Sequence, residues 1–161
     1  MESVGNPVGE IVWVSGPVVR ASLTGVPRMM EQVDVGRDRL VGEVISISEG
    51  IATIQVYEDT SGVVPGEAVY GSGQPLSVEL GPGLVGGIYD GIQRPLVRLA
   101  EQAGDLIRRG AAAPALDRAA HWEWRPTAIA AEDVTPGQVL GTVPETALVE
   151  HRVLVPPDVA G

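Results

Sequence analysis

Glycine and proline interrupt this chain so often that long helices have little room. There are 21 glycines and 13 prolines, and short runs rich in β-branched residues lie between them. Runs of this kind, bounded by turn residues, predict strands joined by tight reversals. Strands are expected at Glu10–Val14, Val18–Ala21, Gln32–Val35, Gly42–Ile47, Ile51–Val56 and Ala68–Gly71. Ser15-Gly16-Pro17 and Ser48-Glu49-Gly50 each supply a glycine for a reversal, and Pro65–Gly66 suits the central pair of a type II turn. Six short strands with few helices between them predict a small closed β-barrel, which leaves no sheet edge exposed.

Downstream the period changes. Leu96, Leu99, Ala103 and Ile107 recur at helical spacing, with Arg98, Glu101, Gln102, Asp105, Arg108 and Arg109 on the other face. Pro95 is placed to open this helix and Gly110 to close it, while Gly104 marks a weak point where it can bend or break. After Gly110 a strand is expected around Trp122–Trp124, ended by Pro126, and two short strands around a Pro-Gly turn in residues 134–145. The alternation in Arg152–Val155 has the character of a paired strand.

Composition removes several classes of function. The formal net charge is −10, which disfavours nucleic acid and anionic membrane surfaces, since both call for clustered Lys and Arg. With no cysteine there is no disulfide, thiolate zinc site or cysteine nucleophile, which fits a reducing cytoplasm. No apolar run reaches the ~18 residues of a membrane span, and residues 1–8 lack the basic and apolar parts of a secretory signal. All 11 basic residues are arginine, so the chain has no lysine, and no G-x-x-x-x-G-K-[ST] run is present. A phosphate-cradling loop of that kind needs its lysine to reach the terminal phosphates.

Residues 76–96 read LSVELGPGLVGGIYDGIQRPL, with Gly81, Pro82, Gly83, Gly86, Gly87 and Gly91 ahead of Pro95. Glycines this dense mark a path where the backbone turns with positive φ or packs closely. They do not form a G-x-G-x-x-G dinucleotide fingerprint after a strand. This run, with IQVYEDTSGVVPGEAVYGSGQPL at 54–76 and LGTVPETALVEHRVLVPPDVAG at 140–161, resembles the N-terminal region of the catalytic A subunit of V-type and archaeal-type rotary ATPases. The resemblance runs from about Gly9 to Gly161.

The resemblance implies that 1–76 is the crown barrel, 77–110 a Gly-rich connector with a helix, and 111–161 part of the outward bulge, or non-homologous region. It also implies a longer parent subunit that uses Mg-ATP, cut here ahead of the nucleotide domain, and a bulge that continues past Gly161 with more strands. No cofactor is expected in this chain, and alone it is expected to be inactive toward ATP. The implied partners are non-catalytic B-type subunits in an alternating hexamer, with stator stalk subunits against the bulge, no nucleic acid and no membrane insertion. The implied location is the cytoplasmic soluble head of a membrane-attached complex. Where the family commonly turns through Pro-Gly-Asp, this chain has AAED at 130–133, so a looser turn is expected. The pattern V-x-x-G-x-V-L-G-T-V at 134–143 also looks like the strand pairs of lipoyl and biotinyl carrier domains, but the acceptor lysine is absent. The fold class is therefore mainly β, a small closed barrel followed by a short helix and a partial barrel-sandwich-like lobe. The alternative is a free-standing β-barrel interaction module with no ATPase partner.

Within this frame the resemblance gives Gly81, Gly83, Asp90, Gly91, Gln93, Arg94 and Pro95 a junction role, fixing the chain where barrel, bulge and nucleotide domain meet. Asp90, Gln93 and Arg94 would do so by hydrogen bonds and ion pairs. Other candidates read as structural. His121 and Glu123 would share a strand face, but two ligands are too few for a usual metal site, and a solvated face is expected. Glu150 and His151 are adjacent and so diverge. Glu58 and Asp59 also diverge, and the side chains of Asp59-Thr60-Ser61-Gly62 are expected to bond the local backbone. No G-x-S-x-G elbow appears, nor a convergent acid, base and nucleophile. Trp13, Trp122 and Trp124 are read as core or interface residues rather than a stacking platform.

Overall fold

A computed structural model describes residues 6–104, 108–130 and 132–161. The chain divides into two compact units, one running through Val78 together with Arg98–Ala112, the other Glu79–Val97 together with Ala113–Gly161. The stretch 77–110, expected as a connector of its own, is thus shared between them.

The first unit is built on six antiparallel strands: β1 (Asn6–Ser15), β2 (Val18–Leu23), β3 (Glu31–Val35), β4 (Leu40–Ser48), β5 (Ile51–Val56) and β6 (Ala68–Pro75). They close in the order β1-β2-β5-β4-β3-β6, with β6 returning to β1. Each expected strand is present, several of them longer than the alternation alone marked. Period-2 alternation fills the interior: β5 turns Ala52, Ile54 and Val56 inward and leaves Ile51, Thr53 and Gln55 half-exposed. Val19, Ala21, Val33, Val35, Leu40, Val44, Ile11 and Val69 complete the core. Burying a side chain of this size stabilises by about 1.5–3 kcal/mol. Register shifts at Ile11/Trp13 and Val44/Ser46 leave Val12 and Ile45 as extra, exposed residues, the bulges that let short strands curl to closure. At Glu49–Gly50 both residues have positive φ, 51° and 77°, as a two-residue type I′ hairpin requires. At Val64–Glu67 the Glu67 N–H donates to the Val64 carbonyl at 3.4 Å, and Gly66 takes φ 93° as in a type II turn.

Helix α1 covers Leu96–Ala103 and is shorter than its expected run. The Gly104 N–H donates to the Ala100 carbonyl at 2.8 Å, and Gly104 has φ 77°, so the chain leaves the helix there and not at Gly110. Leu99 is buried, while Glu101 and Gln102 are exposed. Asp105 and Ile107 lie outside the described residues. Gly110 serves the first unit differently, donating its N–H to Glu58 Oε2 at 3.0 Å.

The second unit carries a sheet of β7 (Arg125–Pro126), β8 (Val139–Pro144) and β9 (Glu150–Leu154), antiparallel in that order. Two expectations are corrected here. Trp122–Trp124 form no strand, because the pairing starts only at Arg125 opposite Thr142. Residues 134–145 hold one strand and not two, since Pro136–Gly137 turn the chain directly into β8. In 130–133 the Glu132 N–H donates to the Ile129 carbonyl at 3.2 Å, and Ala131 lies outside the described residues. Val143 and Val155 are the buried apolar residues of this sheet region. No described helix is long and apolar enough to cross a membrane.

Candidate functional site

The glycine-rich loop gathers the polar residues singled out from the sequence. The Leu96 N–H donates to the Ile88 carbonyl at 3.0 Å, Tyr89 bridges Pro95, and the Asp90 N–H donates to the Arg94 carbonyl at 3.2 Å. These rungs close 88–96 into a small loop standing directly before α1. Its tip is a tight turn, with the Gln93 N–H returned to the Asp90 carbonyl at 3.1 Å and Gln93 itself at φ 61°. A non-glycine residue there is uncommon, and side-chain bonds hold it.

Those bonds are specific. The Asp90 carboxylate accepts from the Ile92 N–H at 3.1 Å, the Arg94 N–H at 2.8 Å and Arg94 Nε at 2.7 Å. Burial pushes this carboxyl up, but the Arg94 and Ile92 N–H groups and the Arg94 guanidinium outweigh it, so Asp90 sits below its ordinary value. The Gln93 amide works in both directions: Nε2 donates to the Glu79 carbonyl at 2.6 Å, and Oε1 accepts from the Glu79 N–H at 2.7 Å. The amide carries its donor and acceptor side by side, matched to the carbonyl and N–H of one backbone residue.

The glycines take different parts. Gly83 has φ 103°, which L side chains rarely adopt, and its N–H donates to Glu145 Oε1 at 2.7 Å. Gly81 gives room, since a Cβ there would meet Leu116 Cδ1 at 2.8 Å. Gly91 has neither a positive φ nor a neighbour within 4 Å of a Cβ, so nothing in the structure demands glycine at that position.

Three residues escaped the sequence reading. Glu145 accepts from both Gly83 and Val85 N–H groups, at 2.7 and 3.0 Å, and Arg118 pairs with Glu79. Glu145 stands 62 residues from Gly83, a separation with no local sequence signal. Remaining candidates disperse. Asp59 accepts from Ser61 N–H and Oγ, at 3.0 and 2.7 Å, while Glu58 accepts from the Val41 N–H at 3.4 Å, so this pair does diverge. His121 Nδ1 lies 2.9 Å from the Ala119 carbonyl, and Glu123 pairs with Arg125 at 3.1 Å; both are exposed, but on a loop. The tryptophans are not core: Trp13, Trp122 and Trp124 are each about 40 % exposed. Trp13 lies under the Arg20 guanidinium at 5.1 Å, and Trp124 lies over Gly141.

Chemically, the loop is built to hold a path. Its carboxylate is saturated by donors, and its amide is engaged on both sides. Among the described residues no group of three or more His, Cys, Asp or Glu could hold a metal ion. Elsewhere, burial pushes Asp34 above its ordinary value against the pull of Arg39 at 3.8 Å, and the hydrogen bond to Glu43 raises Tyr57.

Comparison with known proteins decides the lineage. Residues 11–73 match the ATP synthase alpha/beta family, beta-barrel domain, and residues 113–161 match the ATPsynthase alpha/beta subunit barrel-sandwich domain. Over 153 residues, 95 % of this chain and 26 % of the relative, it is 52 % identical to the A subunit of the A-type ATP synthase of Methanopyrus kandleri. The chain belongs to the ATP synthase alpha/beta family, and it matches the N-terminal region of the A subunits of A-type and V-type ATP synthases. It is also 51 % identical to the V-type ATP synthase alpha chain of Halothermothrix orenii, over 95 % of this chain and 26 % of that one. Against the A subunit of the A-type ATP synthase of Thermoplasma acidophilum the identity is 50 %, over 96 % of this chain and 20 % of the relative. The chain thus spans about a quarter of the length of the relatives it matches first. In family terms the closed barrel falls in the beta-barrel domain, and β7–β9 fall in the barrel-sandwich domain.

Proposed function

We propose that this chain is the crown-and-bulge assembly part of a catalytic subunit in a rotary, ion-translocating ATPase. One observation carries the reading: identity of about one half to the A subunits of ATP synthases along 95 % of the chain. The barrel seats the subunit beside non-catalytic B-type subunits in an alternating ring, and the second unit stands toward stator components. The loop of Asp90, Gln93 and Arg94 fixes the junction through which the chain leaves the barrel. On this reading the protein belongs to the cytoplasmic head of a membrane-attached complex.

Mg-ATP belongs to the proposed activity of the longer relatives, and the residues of this chain do not fit it. There is no lysine and no P-loop run to cradle phosphates. We therefore assign nucleotide chemistry to the parts of the relatives that this chain does not match. Titration of the chain with Mg-ATP is expected to give no saturable heat, and mixing with the cognate B-type subunit is expected to give a complex on size-exclusion chromatography. Stoichiometric ATP binding would defeat the first part of this assignment. Failure to associate with the B-type subunit would defeat the second.

A further inference from the structure

Gly110 lies well past the last barrel strand and outside the residues that match the beta-barrel domain, yet it belongs to the first unit. The antiparallel order tells where on the barrel it docks. Turns alternate between the two ends of such a barrel, so residues 16–17, 36–39 and the loop 57–67 share one end. The Glu49–Gly50 turn, the entrance at Asn6 and the exit at Pro75 share the other. Arg109 and Gly110 touch Asp38, Glu58 and Gly62, all at the first of these ends. The chain therefore leaves the barrel at one end and comes back to grip it at the other.

Three contacts make the grip. The Gly110 N–H donates to Glu58 Oε2 at 3.0 Å, while Glu58 Oε1 accepts from the Val41 N–H at 3.4 Å, so one carboxylate ties the returning segment to the start of β4. Gly110 has φ 66°, and a Cβ on it would run into the Asp38 carbonyl oxygen. That oxygen is backbone and cannot swing aside, so a residue with a side chain lifts the segment off. Arg109 Nη2 lies 3.2 Å from Asp38 Oδ2, and the same guanidinium lies against Gly62, where a Cβ would stand 3.6 and 3.7 Å from Nη2 and Nη1. One planar cation thus spans the tips of two loops. At their bases those loops are joined by the sheet, with the Gly36 N–H donating to the Ala68 carbonyl at 3.0 Å and the Tyr57 N–H to the Val41 carbonyl at 2.9 Å. At their tips Arg109 joins them.

We propose that Arg109 and Gly110 form a strap that latches this end of the barrel, holding the 36–39 turn against residues 58–62 when seated and letting both tips open when lifted. The strap makes the loops at one end of the barrel answer to the segment that follows α1, which the sheet alone does not do. Directly after Ala112 the chain passes to the second unit, so the strap is the last hold the barrel has on it. The device stands on contacts within the first unit and needs neither a partner subunit nor a nucleotide.

The test is amide hydrogen exchange followed by NMR on the full chain, with Arg39 and Val63 as reporters at the strapped end and Leu23 and Met30 at the other. The Arg39 N–H donates to the Gly36 carbonyl at 3.3 Å and the Val63 N–H to the Thr60 carbonyl at 3.0 Å. The Leu23 N–H donates to the Gly50 carbonyl at 2.8 Å and the Met30 N–H to the Val44 carbonyl at 2.9 Å. Gly110→Ala is expected to speed exchange at Arg39 and Val63 about tenfold or more, and to leave Leu23 and Met30 within about twofold. Arg109→Ala, which leaves the backbone untouched, is expected to speed the same two amides about two- to fivefold, the range of an exposed ion pair. Adding Asp38→Ala to Arg109→Ala is expected to change them little further, because both remove one contact. Should Gly110→Ala fail to fold, the Arg109 and Asp38 variants decide alone. Equal acceleration at the two ends would overturn the proposal, since the residues would then act on the barrel as a whole. So would exchange at Arg39 and Val63 that Arg109→Ala does not move, or additive effects of Asp38→Ala and Arg109→Ala.

Discussion

Ile54→Ala is expected to lower the stability of the barrel by about 2–5 kcal/mol, among the largest losses available to a single substitution in this chain. Ile54 is 1 % exposed and lies at the centre of three strands, opposite Val19 on one side and Val44 on the other. Its neighbour across the sheet is Gly42, where a Cβ would come within 2.9 Å of Ile54 Cγ2. The closed sheet resists inward movement, since each strand is bonded on both sides. Amide exchange in β2 and β5 under urea reads the loss. Val26→Ala is the control: Val26 is 95 % exposed, and a change within about 0.5 kcal/mol is expected there. Equal effects at the two sites would show that the barrel interior is not close-packed.

Asp90→Ala is expected to loosen the second unit by about 1–3 kcal/mol, because one carboxylate serves two backbone donors and a guanidinium. The effect has a pH signature. The folded carboxyl sits below its unfolded value, so its contribution is present above the unfolded value of about 4 and is lost as pH falls through the depressed one. The gap between parent and variant should therefore be widest near neutrality and close in acid. Urea unfolding followed by the fluorescence of Trp122 and Trp124 reports on this unit. A gap that held constant into strong acid would show that the side chain acts by packing and not by charge.

What was legible in the residues and what was not separates along physical lines. The barrel strands rest on local alternation and on turns whose φ values only certain residues tolerate, so Ile51–Val56 could be placed to the residue. The helix end was a choice between Gly104 and Gly110, and spacing alone cannot say which glycine adopts positive φ early enough to stop it. Trp122 and Trp124 have high strand propensity, but strand formation depends on a partner, and the partner strand β8 meets Arg125 and Pro126 instead. Asp90, Gln93 and Arg94 are legible as the polar residues of a glycine-rich run that the family resemblance places at a junction. Glu145 could not be, because its role is fixed by two N–H groups about sixty residues away.

The seam between β1 and β6 has a consequence for how such a barrel travels between proteins. Asn6 lies opposite Gly71, so the strand by which the chain enters and the strand by which it leaves run side by side, about 5 Å apart. The last rung of the barrel, Glu31 opposite Pro75, falls only four residues beyond Gly71, so the whole sheet is complete by the end of β6. A segment with its entrance and exit on one doorway can be lifted out of a gene, or set in front of an unrelated domain, without severing a single rung of its own sheet. Descendants of one such segment could therefore diverge in everything downstream while still sharing the same collar.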